Sequence, residues 1–211
     1  ETQDFKVLWL EIILQMGHAD STFHLFYDPN QDIFSNMNDF GKEKRFIPYL
    51  LSRNCRNTKN IVKELTDIIG KQIVPHEDSP LGDKIIKKTF KTKDQLQDSL
   101  ITEVVNLVMK QGVSPNQILI MLNSWIDKSS IAGLDHFNKK IYLKFLKDFS
   151  EMRTNIVYWT TIKRFKGLER NIIFILDENL IEDTNKTREL YTQVSRAQNK
   201  VYIFSVEESG H

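Results

Sequence analysis

Cysteine is almost missing from this chain of 211 residues: Cys55 stands alone. An internal disulfide framework and any multi-thiolate metal site are excluded with it, which points to a reducing compartment. Long hydrophobic runs are missing too. No stretch approaches the roughly 18 apolar residues of a membrane-spanning helix. The opening Glu1-Thr2-Gln3-Asp4-Phe5 lacks the basic-then-apolar order of a secretory leader. Nor does one sign of charge dominate, with 29 Lys and Arg against 28 Asp and Glu for a net charge of +1. Histone-like binding of nucleic acid and an acidic-tail protein are both excluded; a local basic groove is not. His18, His24, His76, His136 and His211 show no metal-ligand spacing, so no metal site is expected. The rest, 40% hydrophobic and 27% charged, is ordinary for a globular protein. A cytoplasmic protein without a membrane partner is expected.

The patterning alternates between two periods. Residues 7–16 spread apolar side chains over a wide helical face that stops at Gly17. Residues 22–27 form a β-rich run closed by Asp28-Pro29-Asn30, and residues 46–53 read as another strand. Asn57-Thr58 caps a helix over residues 59–69 that ends at Gly70. Residues 84–90 predict a strand whose alternating lysines suit an edge protected from pairing. Leu96, Leu100, Val104, Leu107 and Val108 predict a helix over 94–110, followed by a buried strand over 117–122 and a helix near 138–148. The last third reads strand (155–161), strand (171–176), helix (187–196), strand (200–205). Strands alternating with helices predict an α/β fold, a mainly parallel sheet flanked by helices. Trp9, Trp125 and Trp159 are expected to be packing residues, and Cys55 to lie half-buried at a strand end.

Four polar clusters fall at the ends of these segments, where ligands bind in open α/β sheets. Read alone, each has a plain explanation. Glu1-Thr2-Gln3-Asp4-Phe5 is an acidic terminus or a pair of carboxylates for Mg²⁺ and water; Asp28-Pro29-Asn30-Gln31-Asp32-Ile33-Phe34 is a surface turn. In Asn54-Cys55-Arg56-Asn57, Arg56 lies near a helix N-terminus, where the dipole disfavours a cation. It therefore needs an anionic partner, a carboxylate or a phosphate. The fourth cluster joins Thr161-Ile162-Lys163-Arg164-Phe165-Lys166-Gly167-Leu168-Glu169 to Tyr191-Thr192-Gln193-Val194-Ser195-Arg196-Ala197.

Together, in this order, the clusters resemble the motif series of superfamily 1 helicases of the UvrD/Rep type. The first is similar to the tail of the Asp-Glu-x-Gln-Asp-Phe motif, and the second to Gly-Asp-x-x-Gln-x-Ile-Tyr with Tyr27 replacing the glycine. Asn54-Cys55-Arg56-Asn57 stands where the family has Asn-Tyr-Arg-Ser. Thr161 to Glu169 resembles Thr-x-His-x-x-Lys-Gly-Leu-Glu with Lys163 replacing histidine, and Val194-Ser195-Arg196-Ala197 resembles Val-Thr-Arg-Ala. The Asp-Pro-Asn-Gln and Asn-Cys-Arg-Asn spellings look most like helicases fused to nuclease-related NERD domains.

The resemblance implies a RecA-like second lobe over residues 45–211, preceded by the tail of a first, ATP-binding lobe over residues 1–44. It makes Glu1 the residue orienting the attacking water, Gln31 a γ-phosphate sensor, and Arg56 and Arg196 the arginines that reach the γ-phosphate across the cleft. Guanidinium forks suit that task, because charge spreads over equatorial oxygens during phosphoryl transfer. Glu169 falls on the acid that bonds the ribose, and Gly167 on the position where backbone approaches nucleotide. Thr161 and Lys163 fall on contacts to the nucleic-acid backbone, and Phe34 on a base-stacking aromatic. The Trp and Arg that often follow that aromatic are replaced by Ser35-Asn36-Met37.

ATP and Mg²⁺ are the implied cofactors; single-stranded or duplex DNA and the missing N-terminal lobe are the implied partners. No Gly-x-x-x-x-Gly-Lys-Ser/Thr loop occurs in the sequence, so the chain is not expected to hydrolyse ATP unaided. The stretch from Arg56 to Thr161 leaves no room for the large arm inserted in UvrD/Rep enzymes, so a compact second lobe is expected. A non-catalytic nucleic-acid-binding or scaffold module of the same ancestry is the alternative.

Overall fold

The computed structural model describes residues 2–18, 20–31, 46–47, 49–147, 153–165, 167–176 and 184–207. Along them run α1 (Val7–Gln15), β1 (Arg53–Asn54), α2 (Lys59–Ile69), β2 (Val74–Pro75), β3 (Ile86–Phe90), α3 (Lys93–Met109) and β4 (Ile118–Leu122). They continue as β5 (His136–Asn138), β6 (Ile141–Phe145), β7 (Ile156–Thr161), α4 (Ile162–Phe165), β8 (Arg170–Leu176), α5 (Thr184–Ser195) and β9 (Ala197–Val206).

Every residue of β4 is buried, as are the last five of β8. Strands apolar on both sides must be covered on both sheet faces, the environment of a parallel sheet wrapped by helices. The described sheet has the order β3-β9-β8-β4-β7-β6-β5, parallel throughout except for the antiparallel β5–β6 edge. Leu96, Leu100, Val104 and Leu107 lay α3 against one face, over Ile118, Ile120, Leu122, Phe174 and Tyr202. The other face, with Leu119, Met121, Ile173 and Ile175, receives Ile61 and Leu65 of α2 and Tyr191 and Val194 of α5. Thr58 and Thr92 cap α2 and α3, accepting from the amides of Ile61 and Gln95. The predicted α/β architecture is the observed one. As expected, β3 lies at an edge of the sheet, where Lys87 and Lys88 pair with Glu64 and Glu103.

Several expectations are corrected. Residues 138–148 hold no helix among those described; they supply the end of β5 and all of β6. There, Ile141, Leu143 and Phe145 alternate with exposed Tyr142 and Lys144 at the period of a strand, and Asn138 Oδ1 turns the chain by accepting from the amides of Lys140 and Ile141. Residues 22–27 form no strand, because no described segment pairs beside them. Of the described residues among 46–53 only Arg53 joins a strand, the two-residue β1 that pairs with β2, and Ile47, Tyr49, Leu50 and Leu51 are exposed. Trp159 packs inside, whereas Trp9 and Trp125 are 50% and 53% exposed. Cys55 is exposed rather than half-buried. No group of His, Cys, Asp or Glu suited to a metal ion occurs among the described residues, and no helix there is long and apolar enough to cross a membrane.

Candidate functional site

Parallel strands give the sheet two distinct edges. At the edge where β8 and β9 begin, Glu169 immediately precedes β8 and Arg196 immediately precedes β9. Their segments are tied together by the amide of Arg170, which donates to the carbonyl of Arg196 at 3.0 Å. Arg56, in the turn between β1 and α2, reaches the same edge; its Nε lies 2.6 Å from Glu169 Oε1. This carboxylate is the anionic partner that an arginine beside a helix N-terminus requires. Gln198 Nε2 donates to the other oxygen of Glu169 at 3.2 Å, so both oxygens have partners.

The α2 N-terminus is itself occupied. The amides of Lys59 and Asn60 donate to the carbonyls of Pro80 and Leu81 at 2.9 and 3.0 Å. Gly82 permits that loop to sit so close, since a Cβ there would fall 2.3 Å from Thr58 Oγ1. Asn57 fastens the assembly: its buried Nδ2 donates to the carbonyls of Ser195 at 3.0 Å and Ala197 at 2.8 Å, bracketing Arg196.

Arg196 is 1% exposed. A buried guanidinium demands close polar partners. Its Nη2 donates to Oε1 of Gln31, which arrives from the short turn Pro29–Gln31. Gln31 is itself held by Asp28, whose Oδ2 accepts from Gln31 Nε2 at 2.9 Å and from the Tyr191 hydroxyl at 3.3 Å. Burial, and secondarily the Asp28 carboxylate, push the Tyr191 phenol above its ordinary pKa, so it stays a donor. Thus Gln31, Arg56, Glu169 and Arg196 are brought together around one edge. Gly167 stands two residues before Glu169 with φ of 83°, a conformation that glycine adopts without strain. A Cβ there would touch nothing else among the described residues, so among them conformation rather than close approach demands the glycine.

Thr161 and Lys163 lie at the opposite edge. Thr161 ends β7 in register with Leu122 of β4, which is in register with Leu176 at the end of β8. Because β8 rises roughly 20 Å from Arg170 to Leu176, these two residues are remote from Glu169 although α4 and one turn connect them. Lys163 is exposed and Thr161 half-buried. Glu1 and Phe34 lie outside the described residues.

Sequence reasoning missed two participants. Asn57 reads as a helix cap, and nothing local signals its reach to residues 195 and 197. Gln193, wholly buried on α5, donates to Asn123 Oδ1 at 2.8 Å. A glutamine one residue from Val194, on a helix whose neighbours enter the core, is the signal that finds it.

Residues 156–204 match the family model of the UvrD-like helicase C-terminal domain, the stretch that carries β7 to β9, Glu169 and Arg196. Among solved structures, the C-terminal domain of a possible DNA helicase from Lactobacillus plantarum WCFS1 shares this fold with a TM-score of 0.53 and 15% identity. The likeness covers 72% of this chain and 88% of that one. No curated protein matches the chain.

Proposed function

We propose that the chain is the C-terminal portion of an ATP-dependent DNA helicase or translocase, contributing arginines to a nucleotide site completed by a partner lobe. The match over residues 156–204 and the shared fold support a helicase-type C-terminal domain. The observation that carries the finer reading is the convergence of Gln31, Arg56, Glu169 and Arg196 on the edge where β8 and β9 begin. ATP with Mg²⁺ supplies a phosphoanhydride bond whose cleavage needs cations at the γ-phosphate oxygens. Two guanidinium groups on one edge, one half-exposed and one seated on a carboxamide, suit that need. Glu169 orients Arg56 and offers its carboxylate to a ribose hydroxyl. Glu1 orients water in the same scheme, and Phe34, Thr161 and Lys163 contact a single strand.

One observation favours the non-catalytic reading. A guanidinium as deeply buried as that of Arg196 touches a ligand only after Gln31 shifts, and a structural arginine is buried in the same way. The experiment that separates the two is ATP hydrolysis by the intact parent, stimulated by single-stranded DNA. Arg196→Ala lowers it by about 10³ or more in the helicase reading, with strand affinity in the absence of nucleotide little changed. Retained turnover overturns the assignment.

A further inference from the structure

We infer that Trp125 is a base-stacking platform for single-stranded DNA, a contact that none of the motif residues among those described supplies. The inference rests on the reading of Thr161 and Lys163 as strand contacts.

The loop leaving β4 brings Trp125 over the carboxyl ends of β6 and β7. Its ring lies 5.3 Å from that of Phe145 and 5.8 Å from that of Trp159, and those two rings lie 4.7 Å apart. Trp159 is buried and anchors the group, whereas Trp125 keeps 53% of its surface exposed. A large aromatic held by two others, yet half exposed, is placed to meet a planar partner.

The surroundings favour an anionic, planar partner. Arg164 holds its guanidinium 4.9 Å from the centre of the Phe145 ring, and Lys163 beside it is exposed. Both lie on α4, directly after Thr161, which shares a sheet face with Trp159 two residues earlier. An exposed tryptophan packed on a ring that carries the Arg164 guanidinium, with Lys163 next to Arg164 in the chain, suits a single strand: the ring stacks a base and the cations face phosphates. A purely apolar protein partner has no use for Lys163 and Arg164, and a duplex hides its base faces. Asp127 and Lys128, two and three residues on, offset one another in charge.

The test uses the whole chain and a short, fluorescently labelled deoxythymidine oligomer, with affinity read by anisotropy across a salt series. Trp125→Ala weakens binding about tenfold and leaves the salt slope unchanged, because a base contact releases no counterion. Trp125→Phe, which keeps a ring, binds close to wild type. An abasic oligomer of equal length binds the wild-type chain at least as weakly as the normal oligomer binds Trp125→Ala. If Trp125→Ala binds as wild type while Lys163→Ala lowers the salt slope, the strand reading stands and the Trp125 assignment falls. If neither variant changes binding, the strand reading falls and takes the assignment with it. An abasic oligomer that binds undiminished overturns the stacking role without reference to any variant.

Discussion

The two edges of the sheet solve opposite problems with the same residue types. Where β8 and β9 begin, charges are matched and fastened: Arg56 on Glu169, Arg196 on Gln31, and Asn57 on the carbonyls either side of Arg196. Where β4, β6 and β7 end, Lys163, Arg164 and Trp125 face solvent. Buried ionic groups need fixed partners, since a lost partner leaves a desolvated charge behind. Exposed cations need none, and stay available to a polyanion. The difference teaches that geometry is fixed by internal contacts at one edge and left adaptable at the other.

Four substitutions break or sharpen this contrast. The largest effect is that of Arg196→Ala on ATP turnover in the intact parent, given above. Next, Asn57→Ala strands two buried carbonyls and lowers unfolding free energy by about 3 kcal/mol. Urea denaturation reads this as a lower midpoint at unchanged slope; a loss below about 1 kcal/mol means that Asn57 does not fasten the edge. Lys163→Ala, at the open edge, leaves the urea midpoint alone and reduces the salt slope of single-strand binding by somewhat under one unit. An unaltered slope removes Lys163 from the phosphate path.

The smallest effect is that of Glu169→Gln on stability. The Arg56 and Glu169 side chains are 44% and 30% exposed, so solvent screens the pair, and the expected cost is under about 1 kcal/mol. ATP turnover in the parent is the contrasting readout. A large drop there beside a small change in the urea midpoint marks Glu169 as a ligand contact; small changes in both leave it a surface ion pair.

How much of this is legible in the sequence depends on whether the information is local. The strands of the sheet centre announce themselves through unbroken apolar runs such as Ile118 to Leu122, and α2 and α3 through their threonine caps. The β5–β6 hairpin reads falsely as a helix because residues 138–148 mix lysines with apolar side chains. The alternation of Ile141, Leu143 and Phe145 and the Asn138 turn are the better signal. The motif spellings nominate Gln31, Arg56, Glu169 and Arg196, and the anion demanded by Arg56 follows from the helix dipole. That the anion is Glu169, and that Gln31 seats Arg196, are contacts across 113 and 165 positions of chain, which no local pattern encodes. Trp125 is misjudged for a related reason: composition places tryptophan indoors, and only the packing of Phe145 and Trp159 beneath it shows a ring left half outside.

The crossover from Thr161 to Arg170 has a mechanical corollary. It spans from one end of the strands to the other with a single turn of helix, where such connections usually have a longer helix to absorb motion. A link so short has little slack. If Thr161 shifts along the axis of β7, α4 must tilt, or Gly167 and Glu169 must follow, and Arg56 is tethered to Glu169. In the proposed helicase reading, displacement at one rim would thereby be geared to the arginine at the other.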